Sequence, residues 1–83
     1  MTPDEFLEIM DSDFSYTYIR GAVFLGLQII RKYMPLADAE AAEHDIIYSV
    51  DYEEIATLIT KEDALALRKL SWHVQDGQLA RFV

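Results

Sequence analysis

Asp76-Gly77 stands between two stretches that alternate apolar and polar residues, Leu70-Ser-Trp-His-Val-Gln before it and Gln78-Leu-Ala-Arg-Phe-Val after it. Asp-Gly between alternating runs predicts a β-hairpin, because glycine accepts the positive φ that a two-residue turn requires. With Asp76 and Gly77 as the loop, Leu70, Trp72 and Val74 share a face with Leu79, Arg81 and Val83. Ser71, His73, Gln75, Gln78, Ala80 and Phe82 take the other, mostly polar face. A three-residue loop over 75–77 would turn Leu79 and Val83 outward, so the two-residue register is preferred. Trp72 is then expected in the core, with Arg81 opposite it and placed for a cation–π contact. A hairpin over residues 70–83 rules out a pure helix bundle.

The remainder reads as helical with one exception. Thr2-Pro3-Asp4-Glu5 predicts a capping box opening a short helix, with Phe6, Ile9 and Met10 on one face. A second, long helix is expected from about 14 to 34, stopped by Pro35. Its apolar residues form two stripes, which suits a central helix covered on two sides. Gly21 and Gly26 would leave room for another element to approach. Residues 36–43 are rich in Ala and acid and predict a short helix or helical turn. Ile46-Ile-Tyr-Ser-Val50 is β-branched and brief, and predicts a strand. Asp51 and Thr60 each head a capping pattern, the first with Tyr52, Ile55, Ala56 and Ile59 inward, the second with Ala64, Leu65 and Leu67 buried. A strand cannot leave its backbone unpaired, and the terminal hairpin is its evident partner. The expected fold is one α+β domain over residues 1–83. It has a short N-terminal helix, a long apolar central helix, and a three-stranded sheet (46–50 plus the hairpin 70–83) packed on helices.

Charge narrows the function classes. Fifteen acids oppose seven bases, giving a net charge of −8. Residues 33–60 hold Asp38, Glu40, Glu43, Asp45, Asp51, Glu53 and Glu54 and no base. Such a chain repels nucleic-acid backbones and anionic lipid, so neither direct nucleic-acid binding nor membrane binding is expected, and a basic protein surface is the natural partner. The alternative is that acidity serves only solubility. The chain contains no Cys, which excludes disulfides and thiol chemistry and suits a reducing compartment. Met1-Thr-Pro-Asp-Glu is acidic where a secretory signal would be basic, and no apolar run is long enough to span a bilayer. A cytoplasmic protein is expected.

No catalytic motif stands out. The three glycines are isolated, so no phosphate-binding loop is present. Ser49 and Ser71 lack the setting of an activated nucleophile. His44, Asp45, Glu40 and Glu43 offer metal-ligating side chains, but an acid-rich chain brings a histidine near carboxylates by chance. The expectation is a non-enzymatic protein with no metal and no cofactor.

The C-terminal half loosely resembles small proteins of phages, prophages and plasmids. The residues that carry the resemblance are His44-Asp-Ile-Ile-Tyr48, an acidic helix start, Thr60-Lys-Glu-Asp63, Leu70-Ser-Trp72, and a hairpin ending Arg81-Phe-Val83. The resemblance brings no activity with it. It implies the general habit of compact acidic phage proteins, which bind and block host machinery, CRISPR effectors among them.

These readings converge on an acidic interaction module, an inhibitor or modulator of a basic, nucleic-acid-binding protein. The expected contact surface is Asp38, Glu40, Glu43, Asp45, Glu53 and Glu54, helped by Tyr52. The rival reading is a structural or regulatory homo-oligomer, a homodimer for example. Its interface would be the second helix, with Tyr16 and Phe24 as contacts, because the main apolar stripes do not claim them.

Overall fold

The computed structural model describes residues 1–11 and 18–83. The elements run α1 (Pro3–Asp11), α2 (Ala22–Arg31), β1 (Ala41–Glu43), β2 (Ile46–Asp51), α3 (Tyr52–Ala56), α4 (Lys61–Lys69), β3 (His73–Gln75) and β4 (Gln78–Phe82). The strands form an antiparallel sheet in the order β1-β2-β4-β3. It is an α+β fold, as the sequence predicts, with two departures.

The C-terminal hairpin takes the predicted register. Gln75 pairs with Gln78 and Val74 with Leu79, so Asp76 and Gly77 alone make the turn, at φ of 52° and 80°. Leu79 and Trp72 are fully buried. The second face is less polar than expected. Ile46, Tyr48, Ala80 and Phe82 gather there as a small cluster, with His73 stacked on Phe82 at 5.0 Å between ring centroids. Arg81 lies buried and donates to the carbonyl oxygens of Leu70, at 2.9 Å, and Phe82.

The first departure is a fourth strand. Residues 36–43 form no helix. Chain reversal occurs at Pro35-Leu36, and Ala41–Glu43 pairs with β2. His44 and Asp45 make the connecting two-residue turn at φ of 50° and 65°. Both residue types tolerate the left-handed region better than most. Ala-Ala-Glu prefers helix on its own, and the ladder offered by β2 overrides that preference.

The second departure is the length of the central helix. Among the described residues helix begins only at Ala22, and residues 18–20 are not helical. Gly21 sits at the N-cap with φ 72°, and the Ala22 amide closes a turn onto the Ile19 carbonyl at 3.1 Å. A helix running through position 21 would carry an interior glycine, which costs about 1 kcal/mol, whereas the turn uses the φ that glycine alone adopts freely. Residues 14–17 of the expected helix lie outside the described residues.

The caps are as predicted. Thr2 Oγ1 accepts from the Glu5 amide and the Glu5 carboxylate accepts from the Thr2 amide, closing a capping box. Asp51 accepts from the amides of Glu53 and Glu54, and Thr60 from that of Asp63. The main core joins Phe6, Met10, Leu27, Ile30, Ile55, Leu67, Trp72 and Leu79. Leu65, expected inside, is 42% exposed, because the short helix α4 buries only Ala64 and Leu67.

Strand β2 is buried on both faces. A bulge between Tyr48 and Asp51 adds one residue opposite β4, which brings Val50 onto the main-core side with Ile47. The Gln78 side chain donates to the Ser49 carbonyl at 3.0 Å across the bulge. The Ser49 hydroxyl donates to the Asp38 carbonyl at 2.8 Å and holds the segment before β1 against the sheet.

The last turn of α2 is fastened to the start of α4. Lys32 Nζ lies 2.7 Å from Asp63 Oδ2, and the Tyr33 hydroxyl donates to the same oxygen. These bonds hold the Asp63 carboxyl below its ordinary value of 3.8 and raise Lys32. A carboxyl whose pKa is lowered by folding contributes stability that is complete above about pH 5 and lost as pH falls through 3.8 and below. Relative to wild type, Asp63→Asn is therefore expected to be destabilised at pH 7, with the difference shrinking below pH 4. Urea unfolding at both pH values checks this, and a gap that persists unchanged in acid would assign the loss to packing instead.

Candidate functional site

The bulge and the turn at Pro35 together build the most distinctive surface feature. The bulge turns Val50 inward toward Met34, and Asp51, the last residue of β2, still pairs with Gln78 while it caps α3. Glu40, just before β1, is bound through its amide to the Tyr48 carbonyl at 2.8 Å. Glu40, Asp51 and Glu54 consequently stand around one open depression whose other walls are Met34, Ser49, Val50 and Gln78. Its volume is about 310 Å³. A second depression shares Met34, Glu40 and Val50 with the first and adds Pro35, Leu36 and Ala37. Leu36 is 95% exposed at the tip of its turn.

The combined surface has an apolar floor and a carboxylate rim. Of the three acids, Asp51 is held by two helix amides, while Glu40 and Glu54 have exposed side chains. The site suits a lysine or arginine side chain, whose methylene stem covers apolar surface while the charged head meets a carboxylate. Its open shape and a volume at the low end of small-molecule pockets argue against an enclosed ligand.

The predicted contact residues divide into groups. Glu40 and Glu54 reach the depression. Asp38 lies 3.6 Å from the Arg31 guanidinium, whose positive charge partly offsets its field. Glu43 and Asp45 lie at the β1–β2 turn, with His44 Nε2 3.6 Å from Glu43. Glu53 is exposed on α3. Tyr52 packs half-buried against the main core, and its hydroxyl pKa is raised by burial and by Glu53, Asp4 and Asp51. Phe24 is 60% exposed on α2, and Tyr16 lies outside the described residues.

A metal site drawn from Glu40, Glu43, His44 and Asp45 would need helical spacing to bring Glu40 near Glu43 and His44. The extended segment removes that spacing, since Glu40 and Glu43 fall on opposite faces of the β1 ladder. Among the described residues no group of three or more His, Asp or Glu side chains is arranged to hold a metal ion. Also among them, no helix is long and apolar enough to cross a membrane.

Comparison with protein-family models, with curated proteins and with solved structures finds no match to this chain. Sequence reasoning found the acids but missed Met34, Leu36 and Val50 as their apolar neighbours. Pro35-Leu36 after a helix was the available signal, because a turn there must expose one large side chain.

Proposed function

We propose that this protein is a non-enzymatic interaction module that binds a basic segment of a partner protein at the depression bordered by Glu40, Asp51 and Glu54. The single observation behind this reading is the juxtaposition of those carboxylates with an apolar floor that ends in the exposed Leu36. Acidity that served solubility alone would need no such floor. The resemblance of the C-terminal half to phage and plasmid proteins favours a partner in host machinery, such as a nucleic-acid-binding defence protein or CRISPR effector. Inhibition would follow from occlusion of the partner's basic surface.

Glu40→Lys/Glu54→Lys tests the reading. Neither side chain supports the fold by a hydrogen bond among the described residues, so thermal stability should change little. Retention of a captured basic partner should fall, with Kd rising at least tenfold and wild-type affinity itself weakening as salt increases. Equal affinity for wild type and variant would refute the acidic site.

The exposure of Phe24 favours a second reading, a homo-oligomer assembled through α2. Phe24→Asp in the same experiment separates the two. Dissociation of an oligomer by this change, with partner binding retained, would give α2 the assembling role.

A further inference from the structure

A different surface carries a partner preference of the opposite sign. Helices α2 and α4 run antiparallel, because Lys32 at the end of α2 bonds Asp63 in the first turn of α4. Between them lies an open groove of about 410 Å³. Its floor is Leu25 and Ile29 from α2 with Ala66 and Leu70 from α4, and its ends carry Lys32 and Lys69. Leu25 remains 42% exposed there, in the middle of a helix whose opposite side is core. Leu25, Ile29 and Lys32 are spaced as successive turns of one helix face and cover about 10 Å of axis. On α4, Lys69 and the C-cap Leu70 lie three and four positions after Ala66, on the same helix face. Two parallel apolar ridges of this kind leave room for a third helix.

The charge at the groove runs against that of the molecule. The chain carries fifteen acids and seven bases, yet both charged residues that line the groove are lysines. Lys32 shares its charge with Asp63, while the side chain of Lys69 is exposed and makes no ion pair among the described residues. At physiological ionic strength charges more than about 8 Å away are screened, so the local lysines govern what the groove accepts. Lys69 also lies in the last turn of α4, where a cation complements the helix dipole. That role explains a lysine there, but not an apolar groove beside it.

We propose that the α2–α4 groove is a second docking site, which receives an amphipathic helix of a partner protein bearing acidic residues beside its apolar face. The chain would then join two partners of opposite charge, a basic one at Glu40 and Glu54 and an acidic one here.

Two labelled fifteen-residue helical peptides with the same leucine stripe, one flanked by glutamate and one by lysine, test the proposal by fluorescence anisotropy at 150 mM salt. Non-specific attraction to an acidic protein would favour the lysine peptide. The groove predicts the reverse, with the glutamate peptide binding at least tenfold more tightly. Lys69→Glu, a surface change that leaves the fold intact, should abolish that preference. Leu25→Gln, an uncharged change to a good helix former, should weaken the glutamate peptide at least tenfold. Glu8→Lys, on the exposed side of α1, shifts net charge away from the groove and should alter neither peptide's affinity by more than twofold. Preference for the lysine peptide, or no saturable binding of the glutamate peptide, overturns the proposal. So does a wild-type dimer that Leu25→Gln dissociates, since a second copy would then be the occupant. None of these outcomes touches the Glu40/Glu54 site, which is tested with other variants and a basic partner.

Discussion

Trp72→Ala is expected to lower the stability of the domain by about 3–5 kcal/mol. The indole is fully buried in the main core, and its Nε1 donates to the Ala22 carbonyl at 3.1 Å. That carbonyl belongs to the first turn of α2, so one side chain fastens the C-terminal hairpin to a helix fifty positions earlier in the chain. Removing the ring leaves a cavity and takes away the hydrogen bond that ties Trp72 to α2. Against a total of roughly 4–12 kcal/mol for a chain of this length, the loss removes a large share of the stability. Urea unfolding followed by far-UV circular dichroism checks the magnitude. A loss below about half a kcal/mol would place Trp72 outside the core.

Gly26→Ala should destabilise the protein by about 1–3 kcal/mol, although alanine is the better helix former by about 1 kcal/mol. A Cβ at position 26 would overlap the Trp72 indole, with Cζ2 only 2.8 Å away. The ring is held by its hydrogen bond and by the core, so it cannot swing aside as a surface side chain would. In the Trp72→Ala background the obstacle is gone, and Gly26→Ala should then stabilise. This reversal of sign identifies the contact, because a general intolerance of alanine at position 26 would persist in both backgrounds. Gly21 provides the contrast. Nothing lies within 4 Å of a Cβ there, and its substitution is opposed only by its left-handed backbone, with φ 72°.

The parts of the fold that were legible in the sequence are those determined by short-range chemistry. Asp76-Gly77 specified its turn and register, and Thr2, Asp51 and Thr60 capped the helices they were expected to cap. The strand at 46–50 followed from a brief β-branched run, and the burial of Trp72 from alternation. Tertiary context decided the rest. Ala41–Glu43 has no strand preference of its own, and it pairs because Ile46–Asp51 presents an open ladder after the His44-Asp45 turn. The two apolar stripes suggested one long helix, yet Gly21 takes a left-handed conformation and residues 18–20 are not helical. The candidate site was half visible for the same reason. Its acids are plain in the composition, but Met34, Leu36 and Val50 meet them only through a bulge and a turn.

The two tight turns also set an order of events in folding. Hairpins β1–β2 and β3–β4 each close locally, on a timescale of about 1–10 μs for such elements. The ladder between β2 and β4, from Ile46 with Phe82 to Asp51 with Gln78, spans the whole α3–α4 excursion. Its loop-closure entropy must be met before any of its contacts form. The central ladder is therefore the slow step, and the two halves of the sheet exist first as separate ribbons with two open edges each. The Asp51 cap and the bond from the Tyr52 amide to the Gly77 carbonyl, at 3.0 Å, lie where those ribbons meet. Substitutions there should slow folding more than they speed unfolding, and so should changes that weaken the β1–β2 hairpin, whose contacts form before that step.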